Sequence, residues 1–166
     1  MSIAAVRDYF SAFGLAERIL EFETSSATVE LAAQAAGVIP ARIAKSLSFL
    51  VEDKAVLIIT AGDAKVDNAK FKAQFHTKAK MLSPEQVTQL VGHAVGGVCP
   101  FALKEGVAVY LDVSLQRFDT VFPAAGSANS AIELSCDQLE QYACGFQGWG
   151  DFCKGWQDGE NISAPC

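Results

Sequence analysis

The chain has 166 residues, of which 51% are apolar and 19% charged, and its formal net charge is −6. This length suits one domain, residues 1–166, with a single sizeable core, and the apolar fraction excludes disorder. The apolar stretches are far shorter than the roughly 20 residues of a membrane span, and the N-terminus lacks the basic, apolar and small-residue regions of a signal peptide, so a cytoplasmic protein without a membrane partner is expected.

At the N-terminus, Ile3, Val6, Phe10 and Phe13 recur at helical spacing, which predicts a helix from a Ser2 cap to about Phe13, stopped by Gly14. Arg18 to Phe22 reads as a short strand. Thr24, Ser25, Ser26 and Thr28 then crowd the start of an alanine-rich helix, VELAAQAA, that Gly37 ends. Pro40 opens one more helical turn running into Lys45. SLSFLV and AVLIITA, separated by Glu52-Asp53-Lys54, form a hairpin of largely buried strands.

GDAKVD is a turn before a helix over Asn68 to Phe75. A brief strand over Lys80 to Leu82 precedes Ser83-Pro84-Glu85-Gln86, a helix start with a capping-box glutamine, and Gly92 stops that helix. AVGGVCPFAL is a loop stiffened by Pro100. GVAVYLDVS is a strand, LQRF a helical turn, TVFPA and AIELS two more strands, and Asp137 to Ala143 a last helix. The tail from Cys144 is rich in glycine and aromatics with little periodicity, and fits either a packed extension or a loose end. About six strands interleaved irregularly with four or five helices predict an α/β fold built on a mixed sheet.

Charge is unevenly placed. Between Arg42 and Lys80 eight basic residues face four acids, whereas from Glu105 onward nine acids face Arg117 and Lys154. An ordinary solvated surface and a local basic rim for a phosphate-bearing ligand both account for this. The five cysteines, at 99, 136, 144, 153 and 166, contain no CxxC pair, which points to reduced thiols and no structural metal.

Nucleophile elbows, Walker loops and dinucleotide fingerprints are absent from the sequence. His76 and His93 lack a recognisable motif partner, and a Cys99–His93 pair rests only on proximity along the chain. Lys45 says more, because a lysine leading into an apolar strand either snorkels to solvent or presents a fixed cation to a phosphate or carbonyl. Gly96, Gly97 and Pro100 make a loop whose backbone amides either form a plain turn or clamp an oxyanion.

Taken together, VIPARIAKSLSFLV with Lys45, GDAKVD, GGVCPF and YLDVSLQRFDTVFPAAGSANSAIELS resemble, in order and spacing, the YbaK/EbsC family. That family includes the editing insertion domain of bacterial prolyl-tRNA synthetase and its free-standing relatives, and the resemblance spans residues 18–143, leaving 144–166 unassigned. It implies the prolyl-tRNA-synthetase-associated fold, a curved mixed sheet of about six strands surrounded by helices. It also implies trans-editing hydrolysis of the ester of mischarged tRNA, such as tRNA(Pro) carrying a small noncognate residue, without metal or cofactor. The implied partners are the aminoacyl-tRNA acceptor end and, transiently, a synthetase or elongation factor, with no DNA. By the same resemblance Lys45 contacts the terminal adenosine phosphate or substrate carbonyl, and Gly96, Gly97 and Pro100 belong to the GxxxP loop that holds the ester and positions water. Phe22, Thr24, Ser25, Ser46, Phe49, Val98, Cys99, Phe101, Gly126 and Asn129 are the expected substrate-binding set.

Departures from the family pattern are Cys99 in place of serine or another small residue, and Ala102 in place of glycine. Ala131 stands where the cysteinyl-tRNA deacylase subgroup carries aspartate. An activated aminoacyl ester needs positioning and charge stabilisation more than a side-chain nucleophile, which agrees with the missing triad. A binding module without hydrolysis and a thiol-dependent hydrolase using Cys99 are the alternatives.

Overall fold

A computed structural model describes residues 2–157. Its centre is a curled six-stranded mixed sheet whose strands lie in the order 134–135, 120–123, 43–51, 54–61, 108–112 and 146–150. The hairpin β2 (Ile43–Val51) and β3 (Lys54–Ala61) is antiparallel, as expected from its sequence. Glu52 and Asp53 close it with φ of 50° and 66°, the mirror-image turn that matches strand twist. β3 is buried along nearly its whole length, because both its neighbours are strands and both its faces are covered. A continuous apolar run suits that position better than an alternating one. Complete burial of Leu57, Ile58 and Ile59 is worth about 1.5–3 kcal/mol for each side chain.

β5 (Ala108–Asp112) runs parallel to β3, and β6 (Thr120–Pro123) parallel to β2. The segment AIELS, read as one strand, is two: β7 (Ser130–Ile132) pairs with β1 (Ile19–Glu21), and β8 (Leu134–Ser135) pairs with β6. Glu133 marks the break, where its backbone and side-chain oxygens take hydrogen bonds from Arg18, Arg42 and Thr120.

Helices α1 (Ser2–Ser11), α2 (Val29–Ala36), α3 (Asn68–Phe75), α4 (Pro84–Gln86) and α5 (Cys136–Tyr142) surround the sheet. Ser2 is the first helical residue of α1, one position inside the expected cap, and α1 ends at Ser11, two residues before Phe13. Thr28 caps α2 by accepting from the Leu31 amide, Asp67 caps α3 through the amides of Ala69 and Lys70, and Ser83 and Gln86 form the expected capping box of α4. After one α-turn the chain widens to a π-turn over Val87–Val91 before Gly92. The brief strand expected over 80–82 is a single bridge, Phe49 with Met81.

The tail is a packed extension as far as residue 157; residues 158–166, including Cys166, lie outside the described chain. β9 (Phe146–Gly150) adds the sixth strand, parallel to β5. A Cβ on Gly145 would lie 2.2 Å from the Val107 carbonyl oxygen, so glycine there permits the close approach that starts this pairing. β10 (Cys153–Lys154) pairs with β4 (Lys65–Val66) as a separate ribbon. The buried Asp112 carboxylate accepts from the amides of Phe152 and Ser114, and Arg117, bound to Asp63 by both terminal nitrogens at 2.9 and 2.5 Å, lies over the Trp156 ring. No helix among the described residues is long and apolar enough to cross a membrane.

Candidate functional site

Pro40 to Arg42 form a single 3-10 turn, and β2 already begins at Ile43. Lys45 is therefore inside the strand, opposite Thr60, and not at its start. Ala44, Ser46 and Ser48 alternate along one face of β2 and, with Lys45, border a cavity of about 310 Å³. Further walls come from Thr28, Val29 and Ala32 of α2, from Met81, Leu82, Pro84 and Val87, and from Phe122, Ala124, Ser130 and Ala131. Val95, Gly96 and Val98 of the glycine loop complete it. Lys45 is the one charged residue in this lining.

The Lys45 ammonium makes no hydrogen bond or ion pair with a described residue. Burial pulls it below the usual lysine range, nearby Lys65 adds to that effect, and Cys153, Asp63 and Glu30 oppose it. The opposition is weak in practice, since burial holds the Cys153 thiol neutral and Asp63 is already engaged by Arg117. A half-desolvated cation at the edge of an apolar cavity favours an anion or a developing negative charge. The Ser46 Oγ is also buried without a partner among the described residues, an unspent hydrogen-bonding group in the same wall.

The loop is positioned by backbone contact. A Cβ on Gly97 would lie 2.8 Å from the carbonyl carbon and oxygen of Gly126 and from the Ser127 Cα. Gly96, with φ of 94°, would place one 3.4 Å from Ala128 Cβ and 3.7 Å from Ala27 Cβ. The loop thus fits against two segments that are themselves zipped together. The Phe22 amide donates to the Asn129 carbonyl, the Asn129 side-chain amide to the Phe22 carbonyl, and the Ser26 amide to the Ala128 carbonyl.

Of the residues singled out from the sequence, Lys45, Ser46, Gly96 and Val98 meet at the cavity. Gly97, Gly126 and Asn129 stand behind it and hold the loop, and the Ser25 Oγ reaches the Ala128 carbonyl at 3.5 Å. Phe22 and Thr24 fall outside the lining. Phe49 packs on Phe71, and Phe101 on Phe10, so both aromatic rings belong to the core. Pro100 is likewise buried, and its carbonyl accepts from the Cys144 amide.

Cys99 is fully buried, and burial pushes its thiol up to about 12. Its Sγ does lie 3.5 Å from His93 Nε2, but that nitrogen is 2.7 Å from the Phe101 carbonyl oxygen and must carry the proton it donates there. It therefore has no lone pair with which to take the thiol proton, and burial also lowers the His93 pKa. A Cys–His nucleophile is excluded by this arrangement. Cys99→Ser should retain activity within about tenfold, at a cost of roughly 1–2 kcal/mol for a more polar group in the core, checked by deacylation kinetics and thermal unfolding.

Sequence reasoning missed the α2 wall, Met81, Leu82 and the Phe122–Ala131 wall. One signal was available: Ser46 and Ser48 put hydroxyls at period two into an otherwise apolar strand, the spacing of one polar-lined face.

The curled mixed sheet thus carries a small, mostly apolar cleft bordered by Lys45, which has no partner among the described residues, and by the glycine loop. The Aminoacyl-tRNA editing domain family matches residues 23–142, and the chain belongs to that family. It is 53% identical over 158 residues to the uncharacterized protein YwhH of Bacillus subtilis (strain 168), covering 95% of this chain and all of that one. The proline–tRNA ligase of Geobacillus sp. (strain WCH70) is 31% identical over 86 residues, 51% of this chain but 15% of the ligase. A crystal structure described as a candidate trans-editing enzyme for prolyl tRNA synthetase superposes with a TM-score of 0.83 at 28% identity, covering 93% of this chain and 98% of its own.

Proposed function

We propose that this chain is a trans-editing aminoacyl-tRNA deacylase that hydrolyses the ester of a tRNA carrying a small noncognate amino acid, with tRNA(Pro) as the first candidate. The observation that carries the reading is that a partly desolvated Lys45, without a hydrogen-bond or ion-pair partner among the described residues, and Gly96 of the glycine loop border the same cavity of about 310 Å³. Family membership and the ligase and trans-editing relatives support the same direction. Lys45 holds the terminal phosphate or the ester carbonyl, the loop amides face the developing oxyanion, and water is the nucleophile. The ester is cleaved between acyl carbon and ribose oxygen; water supplies the hydroxyl, and its proton passes to the departing ribose oxygen.

Ala131 borders the cavity, so the departure from the cysteinyl-tRNA deacylase pattern falls on a cavity wall and counts against a cysteinyl preference. A screen of tRNAs mischarged with alanine, serine, cysteine and threonine tests the proposal. Release of at least one of them well above the spontaneous rate is expected. Tight binding of the panel without any release would establish a binding module instead.

A further inference from the structure

Lys65 and Lys154 are directly opposite one another in the antiparallel ribbon β4–β10, and both are exposed. Residues facing each other across such a ladder have Cβ atoms about 4.5–5.5 Å apart, and like charges there repel. Neither lysine makes a hydrogen bond or ion pair with a described residue. The neighbouring acids are committed elsewhere: Asp63 to Arg117, Asp151 to Lys70 at 2.9 Å, and Asp67 Oδ1 to two amides of α3, though Asp67 remains within reach of the Lys154 charge.

The ribbon is also firmly placed. Cys153 is buried beneath it, Lys70 Nζ donates to the Cys153 carbonyl at 2.8 Å, and the Asp67 amide donates to the Phe152 carbonyl. Thr60, the cross-strand partner of Lys45, lies near the end of β3, and the chain runs on from there into Lys65 of the ribbon, with Cys153 and Lys65 both within electrostatic reach of Lys45. A chain of net charge −6 must grip a polyanion through a local patch of this kind.

We infer that Lys65 and Lys154 form a second anion site, which holds a backbone phosphate of the RNA strand whose 3′ end enters the cavity. The site deepens the deacylase reading and rests on it for the direction of the strand. One phosphate between the two ammonium groups replaces their repulsion with two charge-assisted contacts. It lengthens the footing on RNA without adding base contacts, so it contributes affinity and salt dependence and no sequence preference.

The test is binding of an uncharged acceptor-stem RNA hairpin with a single-stranded 3′ end, followed across a salt titration for the wild type and for the Lys65→Gln/Lys154→Gln double variant. Both substitutions sit on a solvent-facing surface and leave the fold intact. The double variant is expected to bind about tenfold more weakly at low salt, with the slope of log Kd against log salt reduced by about 1 to 2. Lys54→Gln, at the far end of β3, should change neither. An unchanged slope in the double variant, or no hairpin binding by the wild type, overturns the site. So does inorganic phosphate bound at these lysines with hairpin affinity unaffected. Because the hairpin carries no amino acid, the result stands whether or not the protein hydrolyses an ester. A parallel assay separates the two readings, since the double variant should slow deacylation of tRNA while sparing aminoacyl-adenosine, which has no backbone phosphate.

Discussion

Lys45→Ala is expected to reduce deacylation of a mischarged tRNA by about 10²–10³-fold, the usual loss when a preorganised charge is removed from a reacting centre. The variant should remain folded. In the wild type the ammonium is partly buried with no partner among the described residues, so the folded state bears a desolvation cost that alanine does not. Its folded pKa lies below the ordinary 10.5, so the folded state binds fewer protons than the unfolded chain between those two values. Stability of the wild type should therefore rise with pH through that alkaline window, and the variant should lack the rise while being equally or more stable at neutral pH. Thermal unfolding at both pH values, beside single-turnover deacylation, separates lost chemistry from lost structure. Full activity in Lys45→Ala would remove the central element of the proposed mechanism.

Gly97→Ala is expected to have the second largest effect. The added methyl group would sit 2.8 Å from the backbone of Gly126 and Ser127, and backbone cannot rotate aside as a side-chain tip would. The loop must lift away from the segment 126–128, carrying Gly96 and Val98 with it and widening the cavity. A displacement of this size in a positioning loop costs on the order of 10²-fold in rate, with a stability loss of about 1–3 kcal/mol from overpacking. Discrimination between small and larger acyl groups should also fall, because the loop forms one wall of the cleft. Kinetics with alanyl and a bulkier aminoacyl ester measure both. An unaltered rate and preference would mean that the loop does not contact the reacting end.

The outline of this fold was legible wherever the signal was local. The Ser83 capping box and the glycine stops at Gly37 and Gly92 marked helix ends correctly, and the apolar run from Ala55 to Ala61 could only be a buried strand. Signals that depend on distant partners were not legible. Ala131 to Ser135 reads as one strand until two different partners, β1 and β6, divide it. The tail looks irregular because β9 owes its place to backbone pairing with β5 and to the close approach at Gly145, neither of which leaves an alternating pattern. At the site, Lys45 stood out because a charge in an apolar strand conflicts with its surroundings. Phe49 and Phe101 misled for the opposite reason, since an aromatic ring near a motif serves a core as well as a pocket, and only three-dimensional placement separates the two.

The two ends of the chain carry a consequence for how the editing unit is delimited. The family match stops at residue 142, yet β9, made from Phe146–Gly150, covers the outer side of β5, and Val6 and Phe10 of α1 are completely buried. A fragment cut to residues 23–142 would expose the unpaired hydrogen-bonding groups of β5 beside a bared aromatic cluster, a combination that recruits other chains and aggregates. The part recognisable by sequence is thus smaller than the part able to stand in water unaided, and the difference is supplied by segments whose sequences look least like structure.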